Sequence, residues 1–138
     1  MAKARPGDLN FGSTSPGSGN HISGELLKSM AGVKIVRVAY KGAGAAAAIN
    51  ALIGGEVQIF FPSAGSVRAH IQSGRLRALA VTSREPSALA PGLPTMAASG
   101  LPGYESMSYT GLFAPAKTPR RSSAVFIRRR CRACVRRA

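Results

Sequence analysis

The sequence predicts an α/β domain built on a mainly parallel sheet. Segments rich in β-branched residues and alternating in polarity are followed by segments of helical period, and this order repeats along the chain. Strands alternating with helices of about ten residues imply β-α-β units, whose strands run parallel with helices on both faces. A hydrophobic content of 45% over 138 residues supplies a core for one domain and excludes a disordered chain.

Residues 9–13 read as a short strand entering a Gly/Ser loop at 14–19. Ile22, Leu26, Leu27 and Met30 recur at helical spacing and predict a helix over about 20–30, with Gly32 placed where a helix end favours a left-handed residue. Residues 34–40 alternate and carry Ile35, Val36 and Val38, a second strand broken by Lys41-Gly42-Ala43-Gly44. The Ala-rich run 45–53 is helical and stops at Gly54-Gly55. Residues 57–61 form a third strand, 62–65 a turn, and 66–72 a helix closed by Gly74. Residues 76–82 predict a fourth strand. Beyond it, Pro86, Pro91, Pro94 and Pro102 punctuate a connection with one short helix near 95–99, and 109–114 reads as the last strand.

A parallel sheet covered on both faces takes its ligand in the crevice outside the carboxyl ends of its strands. The loops after the first three strands all fall at that edge. The first, within Gly12-Ser13-Thr14-Ser15-Pro16-Gly17-Ser18-Gly19-Asn20-His21, offers unpaired N–H groups, small side chains and hydroxyls at a positive helix end. No Gly-Lys-Ser/Thr follows and the dinucleotide glycine spacing is absent, so a carboxylate fits better than a nucleotide. A helix N-cap in a flexible loop would read the same way.

His21 could serve as a base or a ligand, but one turn into a helix a loop-bracing role is commoner. With His70 about fifty residues away and no Cys or Glu at ligand spacing, no metal site is expected. His70, between Arg68 and Gln72, reads as exposed. The five acids (Asp8, Glu25, Glu56, Glu85 and Glu105) are scattered, and no serine sits in a nucleophile elbow, so neither catalysis nor a cofactor is expected.

The net charge of +14 is unevenly spread. Residues 120–138 hold eight Arg, no acid, and both Cys131 and Cys134, whereas the other 119 residues hold eleven Lys/Arg against five acids. The aromatic content of 6%, without Trp, argues against a stacking platform for single strands. No stretch approaches the roughly 20 apolar residues of a membrane span. The first seven residues lack the apolar region of a secretory signal, so the chain as written would remain cytoplasmic.

The loop 12–21, followed by Gly24-Glu25-Leu26-Leu27, resembles a signature of the Bug family, the periplasmic solute-binding receptors of tripartite tricarboxylate transporters. Tyr40-Lys41-Gly42, the runs 52–57 and 74–83, Leu93-Pro94-Thr95, and the runs 100–105 and 111–116 agree in order and spacing, covering about residues 3–119. The resemblance implies a Rossmann-like lobe of a two-lobed Venus flytrap, here the second lobe, that binds small carboxylates and docks with membrane transporter subunits without catalysis. It places Ser13, Thr14, Gly17, Ser18 and His21 on the first ligand-facing loop, Tyr40, Lys41 and Gly42 on the second, and Pro62 and Ser63 on the third. These loops should converge on one shallow, positive-leaning concavity. Gln58 and Pro62 stand where many relatives carry acids, and the second loop is Ala-rich, departures that bear on recognition of an amino group.

The resemblance ends at Arg120. The Arg-, Ala- and Cys-rich run 120–138 reads as a shifted frame of a G+C-rich gene and is expected to be poorly ordered. A second reading gives this tail non-specific binding to nucleic acid or anionic membranes, with steep salt dependence; no sequence-specific nucleic-acid partner is expected.

Overall fold

The computed structural model describes residues 7–42, 44–108 and 115–119. The chain divides into two compact units, Met1–Ser108 and Tyr109–Ala138. Of the second unit only 115–119 is described, a turn closed by the Thr118 N–H on the Pro115 carbonyl at 2.9 Å. The predicted strand at 109–114 and the tail at 120–138 lie outside the described residues.

The first unit is α/β. Strand β1 (Asn10–Ser13) is followed by helix α1 (Gly19–Ala31), strand β2 (Val36–Ala39), helix α2 (Gly44–Ile53) and helix α3 (Ala64–Gln72). Strands β1 and β2 pair in parallel, with Phe11 opposite Arg37 and Ser13 opposite Ala39. On the other edge of β1 the chain returns at Gln58 and Ile59, also parallel: the Gly12 N–H donates to the Ile59 carbonyl at 2.9 Å and the Gln58 N–H to that of Asn10 at 3.0 Å. The spatial order is therefore β2, β1, then the 58–59 segment, with β1 central.

Alternation along β1 explains the two helical layers. Phe11, 1% exposed, points at Gly24 of α1, whose missing side chain lets helix and strand meet. Gly12 faces the other way, toward Ala48 of α2, Val57 and Phe60. The core gathers on β1: Phe11, Ile35, Ala48, Ile49, Ala51 and Val57 are all buried. Helix α1 ends as expected, on Gly32 in the left-handed region at φ 60°, its N–H returning to the Lys28 carbonyl. Tyr104, 1% exposed, ties the later chain to α1 by donating its hydroxyl to the Ser23 carbonyl at 2.9 Å, beside a 2.7 Å contact between the Ser23 and Ser106 hydroxyls.

Three expectations are corrected. Residues 76–82 form no strand; among the described residues their sheet-like pairing is one bridge, Val81 with Thr95, and Leu79 is 70% exposed. Alternation makes a segment fit a sheet, but a strand needs a neighbour to bond. Residues 95–99 form turns, not a helix: the Thr95 hydroxyl takes the Ala98 N–H at 3.1 Å and the Thr95 carbonyl takes that of Ser99 at 3.0 Å, after which the chain turns at Gly100. The predicted strand 57–61 is reduced to its paired residues 58–59.

Candidate functional site

The strand order reverses at β1, with one neighbour reached through α1 and the other through α2. That reversal opens the switch-point crevice of open α/β sheets, at the carboxyl end of β1. Registers continued from Ser13 opposite Ala39 and from Phe11 opposite Ile59 bring Thr14, Tyr40 and Pro62 to one level. The structure thus brings the three predicted loops to one edge. Loops one and two join directly, the Tyr40 N–H donating to the Ser13 carbonyl at 2.8 Å.

The first loop is held together around Asn20, which sequence reasoning had not selected. Asn20 Oδ1 accepts from the Thr14 N–H and the Thr14 hydroxyl, both at 3.2 Å, and contacts the Ser18 hydroxyl. The Ser18 hydroxyl also reaches the Ser15 carbonyl at 2.6 Å. Gly17, left-handed at φ 77°, donates its N–H to His21 Nδ1 at 3.0 Å. An accepting Nδ1 leaves the ring proton on Nε2, so His21 braces the loop, the commoner of its two readings. Ser18 is the N-cap of α1, yet its hydroxyl bonds no helix N–H. The first α1 amide bonded back is that of Ile22, to the Ser18 carbonyl at 3.0 Å. The preceding amides of 19–21 therefore keep the donor capacity of a helix start.

Ser13 lies beneath the loop, with 0% exposure, and its hydroxyl accepts from Arg37 Nε at 2.7 Å. Arg37, on β2, is the second residue the sequence concealed: in an alternating strand it reads as an ordinary solvent-facing position. Its Nη2 is buried and has no acceptor among the described residues. Lys41 and Gly42 are exposed, with Gly42 left-handed at φ 77°, and Lys41 forms no ion pair among the described residues. The Tyr40 hydroxyl makes a long 3.4 Å bond to Glu56 Oε2. Partial burial, the negative charge of Glu56 and that bond together raise the phenol above its usual range. Ser63 caps α3 through its backbone, its hydroxyl 3.2 Å from that of Ser66, and Pro62 is half-buried.

His70 is half-buried rather than exposed. Gln58 sits at the opposite end of β1, where its Oε1 takes the Asn10 N–H at 2.9 Å and its Nε2 donates to the Gly55 carbonyl at 2.9 Å. The acid-to-Gln departure thus falls on a strand brace remote in register from the loops. Among the described residues no cluster of His, Cys, Asp and Glu could hold a metal ion, and no helix is long and apolar enough to cross a membrane.

Residues 1–126 match the family described as tripartite tricarboxylate transporter family receptor. The chain belongs to that family. It is 39% identical to the UPF0065 protein of the tcbD-tcbE intergenic region of Pseudomonas sp. strain P51, an alignment covering 86% of this chain and 35% of the relative. It is 38% identical to protein BugT of Bordetella pertussis, over 86% of this chain and 36% of that protein. The chain spans about a third of the length of these two relatives. Among solved structures, R. palustris Rpa4515 with adipate superposes with a TM-score of 0.84 at 35% identity, covering 90% of this chain and 41% of that one. Periplasmic binding protein BugD gives 0.78 at 32% identity, covering 87% and 40%. The tripartite tricarboxylate transporter receptor family thus accounts for the resemblance carried by the loop 12–21. The fold is that of the part of these periplasmic binding proteins that the chain covers.

Proposed function

We propose that the edge formed by loops 14–20, 40–42 and 62–63 binds one carboxylate end of a small di- or tricarboxylate, as a wall of the cleft of a periplasmic transport receptor. The observation that carries this reading is the switch point itself: three loops converge at the carboxyl end of β1, above a helix start whose N-cap hydroxyl bonds elsewhere. Backbone N–H groups, hydroxyls and the cation of Lys41 match an anion. A superposable protein solved with adipate supports a dicarboxylate. The role is capture and delivery to membrane transporter subunits, without chemical turnover.

In a two-lobed receptor, closure excludes water and strengthens each hydrogen bond to the ligand. A carboxylate on this unit alone stays half solvated. If the facing wall supplied two or three charge-assisted bonds of about 1.5–3 kcal/mol each, its absence would weaken binding by roughly two to six orders of magnitude. Titration of the 138-residue chain with adipate, followed by amide NMR, should therefore saturate only at millimolar concentration. The amides of 14–20 and 40–42 should shift, and adipamide should leave them unmoved. Equal responses to both compounds, or shifts confined to other residues, would refute the assignment.

A further inference from the structure

Between Glu56 and Glu85 the chain carries four arginines and no acid. Three of the four are arranged around the end of α3. That helix buries only Val67, and Arg68 and Ile71 stand exposed one turn apart. The helix closes on Gly74, left-handed at φ 71°, whose N–H donates to the Ile71 carbonyl at 3.1 Å, while the Arg75 N–H returns to the His70 carbonyl at 3.0 Å. This paired closure fixes Arg75 against the last helical turn, so Ile71 lies between Arg68 on one side and Arg75 on the other. Beyond it exposure alternates: Arg75, Arg77 and Leu79 are exposed, whereas Leu76, Ala78 and Ala80 are half-buried. The first three therefore share the outward side of an extended segment, with Leu79 70% exposed. None of the three guanidiniums meets a carboxylate, since among the described residues the one ion pair joins Lys28 to Glu25.

We propose that the end of α3 and residues 75–79 form a docking face for an acidic protein surface. Arg68, Arg75 and Arg77 would pair its carboxylates, and Ile71 and Leu79 would meet its apolar residues. A guanidinium presents parallel donors matched to a carboxylate. An anionic membrane is instead met by roughly four to eight clustered basic residues or by a broad apolar helix face, and α3 exposes one large apolar residue, Ile71. Residues 64–80 contain no Phe, Tyr or Trp on which a nucleic-acid base could stack. A second copy would bring like charges together. The face lies at the far end of α3 from Ser63, about 14 Å along a nine-residue helix, so a partner seated there leaves the loops of the ligand edge open. The identity of the partner rests on the transport-receptor reading, under which the acidic surface belongs to a membrane transporter subunit.

The test titrates the full chain, at physiological ionic strength, with a short synthetic peptide alternating glutamate and leucine, and with its lysine-leucine counterpart. The amides of 68–79 should move along a saturation curve with the first peptide and stay still with the second. The variant Arg68→Glu/Arg75→Glu/Arg77→Glu should weaken the acidic peptide roughly tenfold, the sum of three exposed pairs, and leave the adipate midpoint of amides 14–20 unchanged. Should that variant not fold, Arg77→Glu alone, at an exposed position, should weaken the peptide about threefold. If the acidic peptide moves only residues 120–138, or binds the variant with the same midpoint, the face is an ordinary solvated surface and the proposal fails. It fails equally if vesicles of phosphatidylglycerol and phosphatidylcholine perturb 68–79 while the peptide does not. A peptide response at 68–79 without any adipate response at 14–20 would overturn the carboxylate reading and uphold the docking face.

Discussion

Replacement of Gly24 by Ala sets two opposing effects of comparable size against each other at one contact. Ala is the better helix former by about 0.8–1.0 kcal/mol, so on propensity alone the change stabilises α1. The added methyl, however, would lie 2.2 Å from Phe11 Cε2, 2.5 Å from Cδ2 and 2.8 Å from Cζ. Carbons rest at about 3.5–4.0 Å, so ring or helix must yield by about an ångström. Phe11 is 1% exposed at the centre of the core and has nowhere to go. Overpacking of this kind costs about 1–3 kcal/mol. With no room for the ring to yield, the cost falls in the upper half of that range, about 2–3 kcal/mol, so the net expectation is a loss of about 1–2 kcal/mol, or roughly 4–16 °C in melting temperature for a unit of this size. Thermal unfolding by far-UV circular dichroism would measure it. Adding Phe11→Leu should recover part of the loss, because the smaller side chain makes room for the methyl. The consequence reaches the site, since a helix pushed off β1 carries its first turn away from the loop it completes. An unchanged or raised melting temperature in Gly24→Ala would refute the close-approach argument.

Asn20→Ala removes the acceptor shared by Thr14 and Ser18; a loss of about 1–2 kcal/mol and faster hydrogen exchange at 14–18 are expected, and unchanged exchange would contradict the bracing role. Gly17→Ala forces a φ of 77° on a residue with a Cβ, at about 1–2 kcal/mol, with loss of the His21 bond seen in the imidazole nitrogen shifts. Gly19→Ala should be nearly silent despite its close approach to Ser108, because a serine hydroxyl can rotate aside. The Tyr104 phenol is pushed up by burial, against a smaller downward pull from its bond to Ser23. Its contribution is complete below the unfolded phenol value near 10 and is lost as pH rises through the higher folded value. Denaturant titrations from pH 8 to 11.5 should thus show a steeper alkaline loss than in Tyr104→Phe, which itself should cost about 0.5–1.5 kcal/mol at neutral pH; parallel pH curves would overturn the burial argument.

The helices were legible because their signals are local. The spacing of Ile22, Leu26, Leu27 and Met30, and the stop at Gly32, needed no knowledge of distant residues. The edge of the sheet that carries the candidate site was legible too, since parallel strands send their carboxyl ends the same way. What failed depended on partners. Residues 76–82 have the pattern of a strand but one bridging neighbour in Thr95. Ser13 looked like a ligand-facing hydroxyl, and its burial follows from the register that brings Arg37 over from β2. Asn20 was read as the first helical residue; the cluster of Thr14, Ser18 and Asn20 was the available signal, because such side chains compete for nearby backbone groups.

The strap between Tyr104 and Ser23 spans 81 residues of sequence. Chains emerge from the ribosome at about 5–20 residues per second, so α1 would wait roughly 4–16 seconds for the tyrosine that closes it. During that interval its buried face has β1 for cover but no late-chain lid, and Ser23 stands open. Such distant closure carries a loop-entropy cost before it yields any contact. The nascent chain is accordingly most vulnerable to misassociation and proteolysis between the appearance of β2 and that of residue 106, a window set by chain order rather than by final stability.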